Sequence, residues 1–161
     1  MSAGARWRIV PAGEALDRLP ALARWHHAEW AGLYAEWSED QALAELLDAA
    51  RAEATVPTTL VALADDGALL GSVSLVAEDS PELAAFPGPW LASLFVTPEA
   101  RGRGLGEALV HALVARAAAE GIPRLRLFTP QHRAFYERLG WALETPARVG
   151  GQAVDVLTRV P

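Results

Sequence analysis

The 161-residue sequence contains no cysteine, no lysine and no asparagine. The absence of cysteine excludes a thiol nucleophile, a disulfide scaffold, a thiolate zinc site and an acyl-cysteine intermediate. The absence of lysine excludes a Schiff-base enzyme and a Walker-type phosphate loop, which requires Gly-Lys-Ser/Thr. All 14 basic side chains are therefore arginines.

Long apolar runs and an excess of positive charge are missing as well. No run approaches the roughly 18 apolar residues of a membrane span, and the first 20 residues hold no apolar stretch of signal-peptide length. The formal net charge of −6 argues against a nucleic-acid partner, which normally requires a basic face. We therefore expect a single cytoplasmic domain over residues 1–161, with neither a nucleic-acid nor a membrane partner.

Charge is distributed unevenly along the chain, because residues 1–98 carry a net charge of −9 and residues 99–161 one of +3. A domain with an acidic and a basic part can bind an anionic ligand at one end and a cationic ligand at the other. Alternatively, these charges are spread over a solvated surface. The charge pattern alone leaves both interpretations open.

Hydrophobic periodicity and turn signals predict the element order β-α-α-β-β-β-α-β-α-β-β. We expect a first helix over 14–34, and a second that begins with a capping box at Ser38 and Gln41 and ends near residue 52. In the short helix at about 132–139, Phe135 and Leu139 should face the core, with Tyr136 pointing elsewhere. The strands are expected at 6–11, 58–64, 68–77, 90–96, 125–129, 141–148 and 153–160. This alternation indicates a mixed sheet with helices on both faces.

A glycine- and arginine-rich turn joins the fourth predicted strand to the third predicted helix, within LASLFVTPEARGRGLGEALVHALV. The glycines of this turn are Gly102, Gly104 and Gly106. Backbone N–H groups of such a turn, with the positive end of the helix dipole, form a cradle suited to a pyrophosphate. Arg101 and Arg103 add positive charge where phosphates would lie.

Three functional interpretations of this turn compete with an ordinary glycine-rich connection. A dinucleotide fingerprint, G-x-G-x-x-G, fails because Glu107 replaces the third glycine and because no acidic residue lies near Arg126, about 20 residues on. An arginine/glycine-rich RNA segment does not suit a structured acidic domain. The third interpretation is the pattern R-x-x-G-x-G, filled by Arg101, Gly104 and Gly106.

That pattern, preceded by LFVTPEA and followed by an apolar helix, resembles the acetyl-CoA signature of the GNAT (GCN5-related) N-acetyltransferase superfamily. The later segment FYERLGW, residues 135–141, resembles the second hallmark of that superfamily, in the usual order and spacing. The resemblance is good over residues 58–141 and looser over the first helices, and it points to a poorly characterised bacterial-type branch.

The resemblance implies an α/β fold with three layers (an α+β mixed sheet). Its centre would be a mostly antiparallel sheet with one splayed strand pair, and helices would cover both faces. The implied activity is transfer of an acetyl group from acetyl-CoA to a primary amine, by direct attack in a ternary complex.

The resemblance also implies residues for the cofactor. In the superfamily, the strand before the turn binds the pantetheine arm through free backbone groups, and one of its amides stabilises the oxyanion. The backbone N–H groups of residues 102–107 would hold the pyrophosphate. The cofactor residues expected on this basis are Leu94, Phe95, Val96, Arg101, Gly102, Arg103, Gly104, Leu105, Gly106, Glu107 and Thr129.

Tyr136 matches the tyrosine that in many GNAT enzymes protonates the departing thiolate, a role that suits a neutral phenol. The alternative is a core tyrosine beside Phe135. The sequence departs from the superfamily pattern where many members carry asparagine and this chain has Thr129. It departs again at Ala92 and Ser93, where many members carry a glutamate that acts as the base.

The general base is therefore left open among Glu29, Glu78, Asp79 and a water relay. The segment WHHAEWAGLY, residues 25–34, resembles a stretch of the same branch, in which the first two helices line the acceptor pocket. The residues expected to bind the acceptor are Glu29, Trp30, Tyr34, Glu78, Asp79 and Ser93. Trp37 and Glu36 are further candidates, although aromatic residues at helical spacing are also typical of a core.

The acidic N-terminal part favours a cationic acceptor. His26 and His27 point about 100° apart on a helix and cannot bind one metal together, so no metal is expected. The alternatives are a non-catalytic CoA-binding sensor or interaction module on the same fold, and transfer of a longer acyl group. The last two strands could support a homodimer.

Overall fold

The computed structural model describes residues 6–161; the first five residues, which belong to the expected domain, lie outside the described residues. The strands are β1 (Trp7–Pro11), β2 (Thr58–Ala64), β3 (Leu69–Val76), β4 (Trp90–Val96), β5 (Leu125–Thr129), β6 (Ala142–Val149) and β7 (Gln152–Arg159). The helices are α1 (Leu19–Trp30), α2 (Glu39–Arg51), α3 (Leu105–Ala119) and α4 (Arg133–Arg138). The predicted fold class and element order are confirmed.

The seven strands form one sheet in the order β1-β2-β3-β4-β5-β7-β6. All neighbouring pairs are antiparallel except β4 and β5, which are parallel. These two strands pair at a single position, Trp90 opposite Arg126. They diverge beyond it, which is the splayed pair that the resemblance implies. The edge of β4 that faces β5 is therefore without a strand partner over most of its length.

Helices cover both faces of the sheet. On one face, Leu105, Leu109 and Leu113 of α3 pack over Val73 and Leu75 of β3. On the other face, α1 and α2 bury a second apolar cluster. A third cluster joins the β6–β7 hairpin to the segment after α1. No helix among residues 6–161 is long and apolar enough to cross a bilayer.

The first helix is shorter than the sequence predicts. Two short 3-10 helices precede α1, which has Pro20 in its first turn and ends at Trp30. Proline is tolerated there because its missing N–H would have no helical acceptor. Residues 31–36 form turns and a bend. Leu33 in this segment and Trp37 directly after it still pack on the core. The apolar spacing therefore continues past the end of the helix.

The second helix begins where the sequence predicts. The Ser38 hydroxyl accepts the Gln41 N–H at 3.1 Å, and the Gln41 side-chain oxygen accepts the Ser38 N–H at 2.7 Å. This reciprocal pair is the expected capping box, and it satisfies two N–H groups that would otherwise have no partner.

The orientation predicted for α4 is confirmed for Phe135 and Leu139, which pack against the core, and wrong for Tyr136, which also points inward. Tyr136 is the buried side chain of this helix, whereas Phe135 and Leu139 are only half-buried. The Tyr136 ring packs edge-on against Phe135 at 5.0 Å and against Trp141 at 6.3 Å, between centroids. The six residues of α4 make fewer than two helical turns, too few for apolar spacing to define a face. The Trp141 ring, outside the helix, packs against Tyr136 and helps to set its direction.

Gly71 sets the spacing between β3, β4 and α3. A Cβ at this position would lie 2.5 Å from the Phe95 carbonyl oxygen and 3.2 Å from Leu109 Cδ1. We expect Gly71→Ala to lower the free energy of unfolding by about 1–3 kcal/mol, because β4 or α3 must shift. Gly32→Ala is the control, since nothing lies within 4 Å of its added Cβ. Urea unfolding that found the two variants equally stable would contradict this account.

Candidate active site

Two depressions meet along the unpaired part of β4. A groove of about 460 Å³ lies beside the glycine-rich turn. A larger cavity of about 930 Å³ is bounded by α1, α2 and the segments that follow β3 and β5. Leu94, His132 and Tyr136 line both. A ligand in one depression could therefore contact a ligand in the other at these three side chains.

Most of the expected cofactor residues line the groove. They are Leu94, Phe95, Val96, Arg101, Gly102, Gly104, Leu105, Gly106 and Glu107. Arg103 is exposed and lies outside the groove, and Thr129 lines the larger cavity instead. The Thr129 hydroxyl accepts the His132 N–H at 3.0 Å and so helps to hold the turn before α4.

The glycine-rich turn has the backbone shape of an anion cradle. Gly102 and Gly104 have φ values of 78° and 85°, in the left-handed region that favours glycine. Gly104 is the N-cap of α3, and the first helical bond runs from the Ala108 N–H to the Gly104 oxygen at 3.0 Å. The N–H groups of residues 105–107 thus have no acceptor within the helix, and they lie at its positive end.

Arg101 connects this turn to the end of β4. Its Nε donates to the Val96 carbonyl oxygen at 3.0 Å, and the side chain is otherwise exposed. The guanidinium therefore adds a fixed positive charge at the mouth of the groove. Such a charge favours a phosphate-bearing ligand.

A β-bulge interrupts the pairing of β3 and β4 where the two depressions meet. Ser93 and Leu94 together oppose the single residue Val73, and Ser93 has a φ of 56°. The Ser72 hydroxyl donates to the Ser93 carbonyl oxygen at 3.1 Å, and His26 Nε2 lies 2.8 Å from the Ser72 Oγ. A bulge takes the extra residue out of the ladder, so the backbone of β4 changes direction at this point.

The larger cavity is strongly acidic. None of the arginines in residues 6–161 lines it, and its acidic side chains come from the negatively charged part of the sequence. These carboxylates belong to Glu36, Glu45, Asp48, Glu78, Asp79 and Glu82. A concave surface of one charge sign attracts ligands of the opposite sign. The cavity therefore suits a cationic ligand.

Asp79 and Tyr34 form a hydrogen-bonded pair in this cavity, with the phenol donating to Asp79 Oδ1 at 2.9 Å. Burial raises the pKa of Asp79 to about 7; the Tyr34 hydrogen bond opposes this change and the charge of Glu45 adds to it. Burial and the neighbouring Asp79 carboxylate raise the pKa of Tyr34, so the phenol remains protonated. Asp79 can therefore exchange a proton near neutral pH while Tyr34 orients it.

Tyr136 lies at the junction of the groove and the cavity, with 8% of its surface exposed. Burial, and to a smaller extent the charge of Asp79, raises the pKa of Tyr136. A phenol with a raised pKa keeps its proton at neutral pH. The residue can thus donate a proton to an anion that forms beside it.

The structure brings together most of the expected acceptor residues. Trp30, Tyr34, Glu78, Asp79 and Ser93 all line the larger cavity, as do Glu36 and Trp37. Glu29 does not line this cavity. It is exposed and lines the groove instead.

Sequence reasoning missed Glu45, Asp48, Glu82 and His132 as lining residues of these depressions. Glu45 and Asp48 are three positions apart on α2, so they share one side of that helix. The sequence shows this spacing, but it does not show that this side of α2 faces the cavity. His132 and Glu82 lie outside regular α-helix and strand, where no periodicity indicates a direction.

Comparison with known proteins relates the chain to acetyltransferases. A family model described as the acetyltransferase (GNAT) family matches residues 19–141. Among solved structures, the PaiA N-acetyltransferase of Thermoplasma acidophilum in complex with coenzyme A is 21% identical, with a TM-score of 0.67, and the match covers 96% of this chain and 99% of that one.

Two further structures have a similar fold. The spermidine/spermine N-acetyltransferase SpeG of Vibrio cholerae is 15% identical, with a TM-score of 0.68 and coverage of 98% and 95% of the two chains. The phosphinothricin acetyltransferase of Sinorhizobium meliloti in complex with acetyl-CoA is 22% identical, with a TM-score of 0.68 and coverage of 96% and 88%. At these identities the structures establish the shared fold.

The raised pKa of Asp79 makes stability depend on pH. Between its ordinary pKa of 3.8 and about 7, the folded protein binds a proton that the unfolded chain has lost, so stability decreases as pH rises through this range. Asp79→Asn retains an oxygen acceptor for Tyr34. At pH 8 it should be about 1–2 kcal/mol more stable than the parent protein, in which Asp79 is ionised and partly buried. The gain is modest because a half-buried carboxylate keeps part of its hydration. At pH 4, where Asp79 is protonated in the folded parent protein, the two proteins should be equally stable.

Urea unfolding at both pH values checks this expectation. Glu53→Gln, which changes an exposed carboxylate, should follow the parent protein at both. A constant difference between Asp79→Asn and the parent across the pH range would show that Asp79 does not titrate as described.

Proposed function

The chain belongs to the GNAT acetyltransferase family, and from this premise we propose that it transfers the acetyl group of acetyl-CoA to a primary amine of a cationic acceptor. The amine attacks the thioester directly in a ternary complex. The observation that carries the proposal is the position of Tyr136, where the glycine-lined groove meets the acidic cavity. A thioester held in the groove and an amine held in the cavity would meet beside its hydroxyl.

The groove suits CoA in its backbone donors and in its shape. A Cβ on Gly106 would lie 3.7 Å from Phe135 and 3.8 Å from Val96, which are ordinary contact distances. Packing therefore does not require glycine at this position, whereas close approach of a pyrophosphate to the backbone does. The CoA and acetyl-CoA complexes of the similar Thermoplasma and Sinorhizobium proteins support the same cofactor.

The proposed reaction removes two protons from the ammonium nitrogen and delivers one to sulfur and one to solvent. The acceptor enters as an ammonium ion and loses a proton to Asp79, which leaves a nucleophilic amine. The amine forms the C–N bond at the thioester carbonyl, and backbone N–H groups at the β4 bulge stabilise the oxyanion. The C–S bond then breaks as Tyr136 protonates the departing thiolate, and the second proton of the attacking nitrogen restores the Tyr136 phenol. Asp79 releases the first proton to solvent. Asp79 takes the role of base because Ala92 and Ser93 on β4 have no carboxylate.

The acidic cavity selects the acceptor in this proposal. Its carboxylates would attract an amine that carries a second positive charge and would repel one that carries a carboxylate. The similar Vibrio protein is a spermidine/spermine acetyltransferase, which agrees with a polycationic acceptor. The charge of Glu45 raises the pKa of Asp79, and the charge of Asp79 raises the pKa of Tyr136, so Asp79 is close enough to act on a nitrogen beside Tyr136.

Replacement of the phenol tests the role of Tyr136. Tyr136→Phe keeps the ring and removes the proton donor, so kcat should fall by at least about 100-fold. The affinity for acetyl-CoA, measured by calorimetry, should stay within about threefold, since the groove is unchanged. Because the chain has no cysteine, released CoA can be measured with a thiol reagent without background from the protein. Unchanged kcat would make Tyr136 a core tyrosine only.

A matched pair of acceptors tests the electrostatic selection. We expect 1,4-diaminobutane to have a kcat/KM at least about tenfold higher than 4-aminobutyrate, because only the latter brings a carboxylate into the acidic cavity. The ratio should decrease as salt is added. Equal values would contradict selection by charge. Saturable acetyl-CoA binding without thiol release for any amine would favour the CoA-binding sensor instead.

A further inference from the structure

The backbone at the β4 bulge has a conformation that its own sequence does not favour. Ser93 is neither glycine nor asparagine, and yet its φ is 56°. A left-handed serine persists only where the surrounding structure holds it in place. The structure must therefore supply an interaction at this residue.

That interaction is made by two buried side chains that are distant in sequence. Ser72 is fully buried and His26 is 3% exposed. The Ser93 carbonyl can only accept, so the single hydroxyl proton of Ser72 is used in the bond to it. The Ser72 oxygen must then accept from His26, which requires the tautomer with hydrogen on Nε2. Burial lowers the pKa of His26 to about 4, so the ring is neutral near pH 7.

His26 also contacts residues that border both the acidic cavity and the groove. His26 belongs to α1 and lines the acidic cavity. Its ring packs edge-on against Phe95 of β4, at 6.2 Å between centroids, and in a tilted arrangement against Trp30, at 5.0 Å. His26 thus connects α1, which borders the acidic cavity, with β4, which borders the groove.

We propose that His26 and Ser72 are positioning residues that hold the carbonyl of Ser93, and through it the β4 bulge, in the conformation that acetyl transfer requires. We call these three residues the bulge network. The network acts by fixing the backbone of Ser93 and Leu94 where the groove and the cavity meet. The proposal relies on the proposed acetyltransferase activity for one of its readouts.

Ser72→Ala tests the network, with Ser74→Ala as its matched control. Ser74 is also a buried serine of β3, but its hydroxyl bonds to Thr59 at 2.8 Å and not to the bulge. Loss of a buried hydrogen bond should lower kcat/KM for acetyl-CoA about tenfold in Ser72→Ala. It should also speed hydrogen exchange at the Leu94 and Phe95 amides by a similar factor. Ser74→Ala should change neither quantity by more than about twofold.

His26→Phe removes the donor to Ser72 and keeps an aromatic ring against Phe95 and Trp30. The double variant His26→Phe/Ser72→Ala should be no worse than Ser72→Ala alone, because the two residues act on one carbonyl. His26→Phe combined with Ser74→Ala should give additive losses. His26→Phe also provides the test if Ser72→Ala does not fold.

Two results would overturn the proposal. One is equal kinetics and equal exchange in Ser72→Ala and Ser74→Ala; the other is a lower melting temperature for Ser72→Ala with unchanged exchange at the bulge. If the parent protein transfers no acetyl group, the proposed function fails separately. Amide exchange at Leu94 and Phe95 then still decides whether the network holds the bulge.

Discussion

The candidate site depends on the fact that β4 and β5 are held together at one end only. Trp90 is 1% exposed and its ring packs edge-on against Phe128. Next to it, the Arg126 N–H of β5 donates to the carbonyl oxygen of Pro89, directly before β4, at 3.1 Å. These contacts fix the closed end of the pair. If the strands paired along their full length, the backbone edge of β4 would be used within the sheet and both depressions would be lost.

The two depressions differ in how they present charge. The groove offers N–H groups, a helix terminus and one tethered guanidinium, all of which favour an anion. The cavity offers side-chain carboxylates, and the pKa of Asp79 is raised because burial is the largest influence on it and Glu45 adds to it. A cation bound there would favour ionised Asp79. The charge of the cavity therefore changes when a cation binds, whereas the positive potential of the groove comes mainly from backbone groups that do not titrate.

Features that depend on local sequence could be predicted, and features that depend on distant pairing could not. The capping box at Ser38, the glycine-rich turn and the last hairpin involve residues only a few positions apart. The contacts of His26 with Ser72 and of Tyr34 with Asp79 span 46 and 45 positions. They are set by where α1 lies on the sheet and by the register of β3, which periodicity does not specify. The inward direction of Tyr136 was missed for a related reason, because Trp141, which helps to set it, lies outside the helix.

The sheet order has a consequence for how the protein is made. β7 lies between β5 and β6, although β6 precedes it in the chain. As the polypeptide leaves the ribosome, β6 thus emerges before the strand that connects it to the sheet, and β5 presents an open edge until β7 arrives. An open strand edge invites pairing with other chains. The edge of β5 is therefore open to pairing with other chains until β7 has been synthesised.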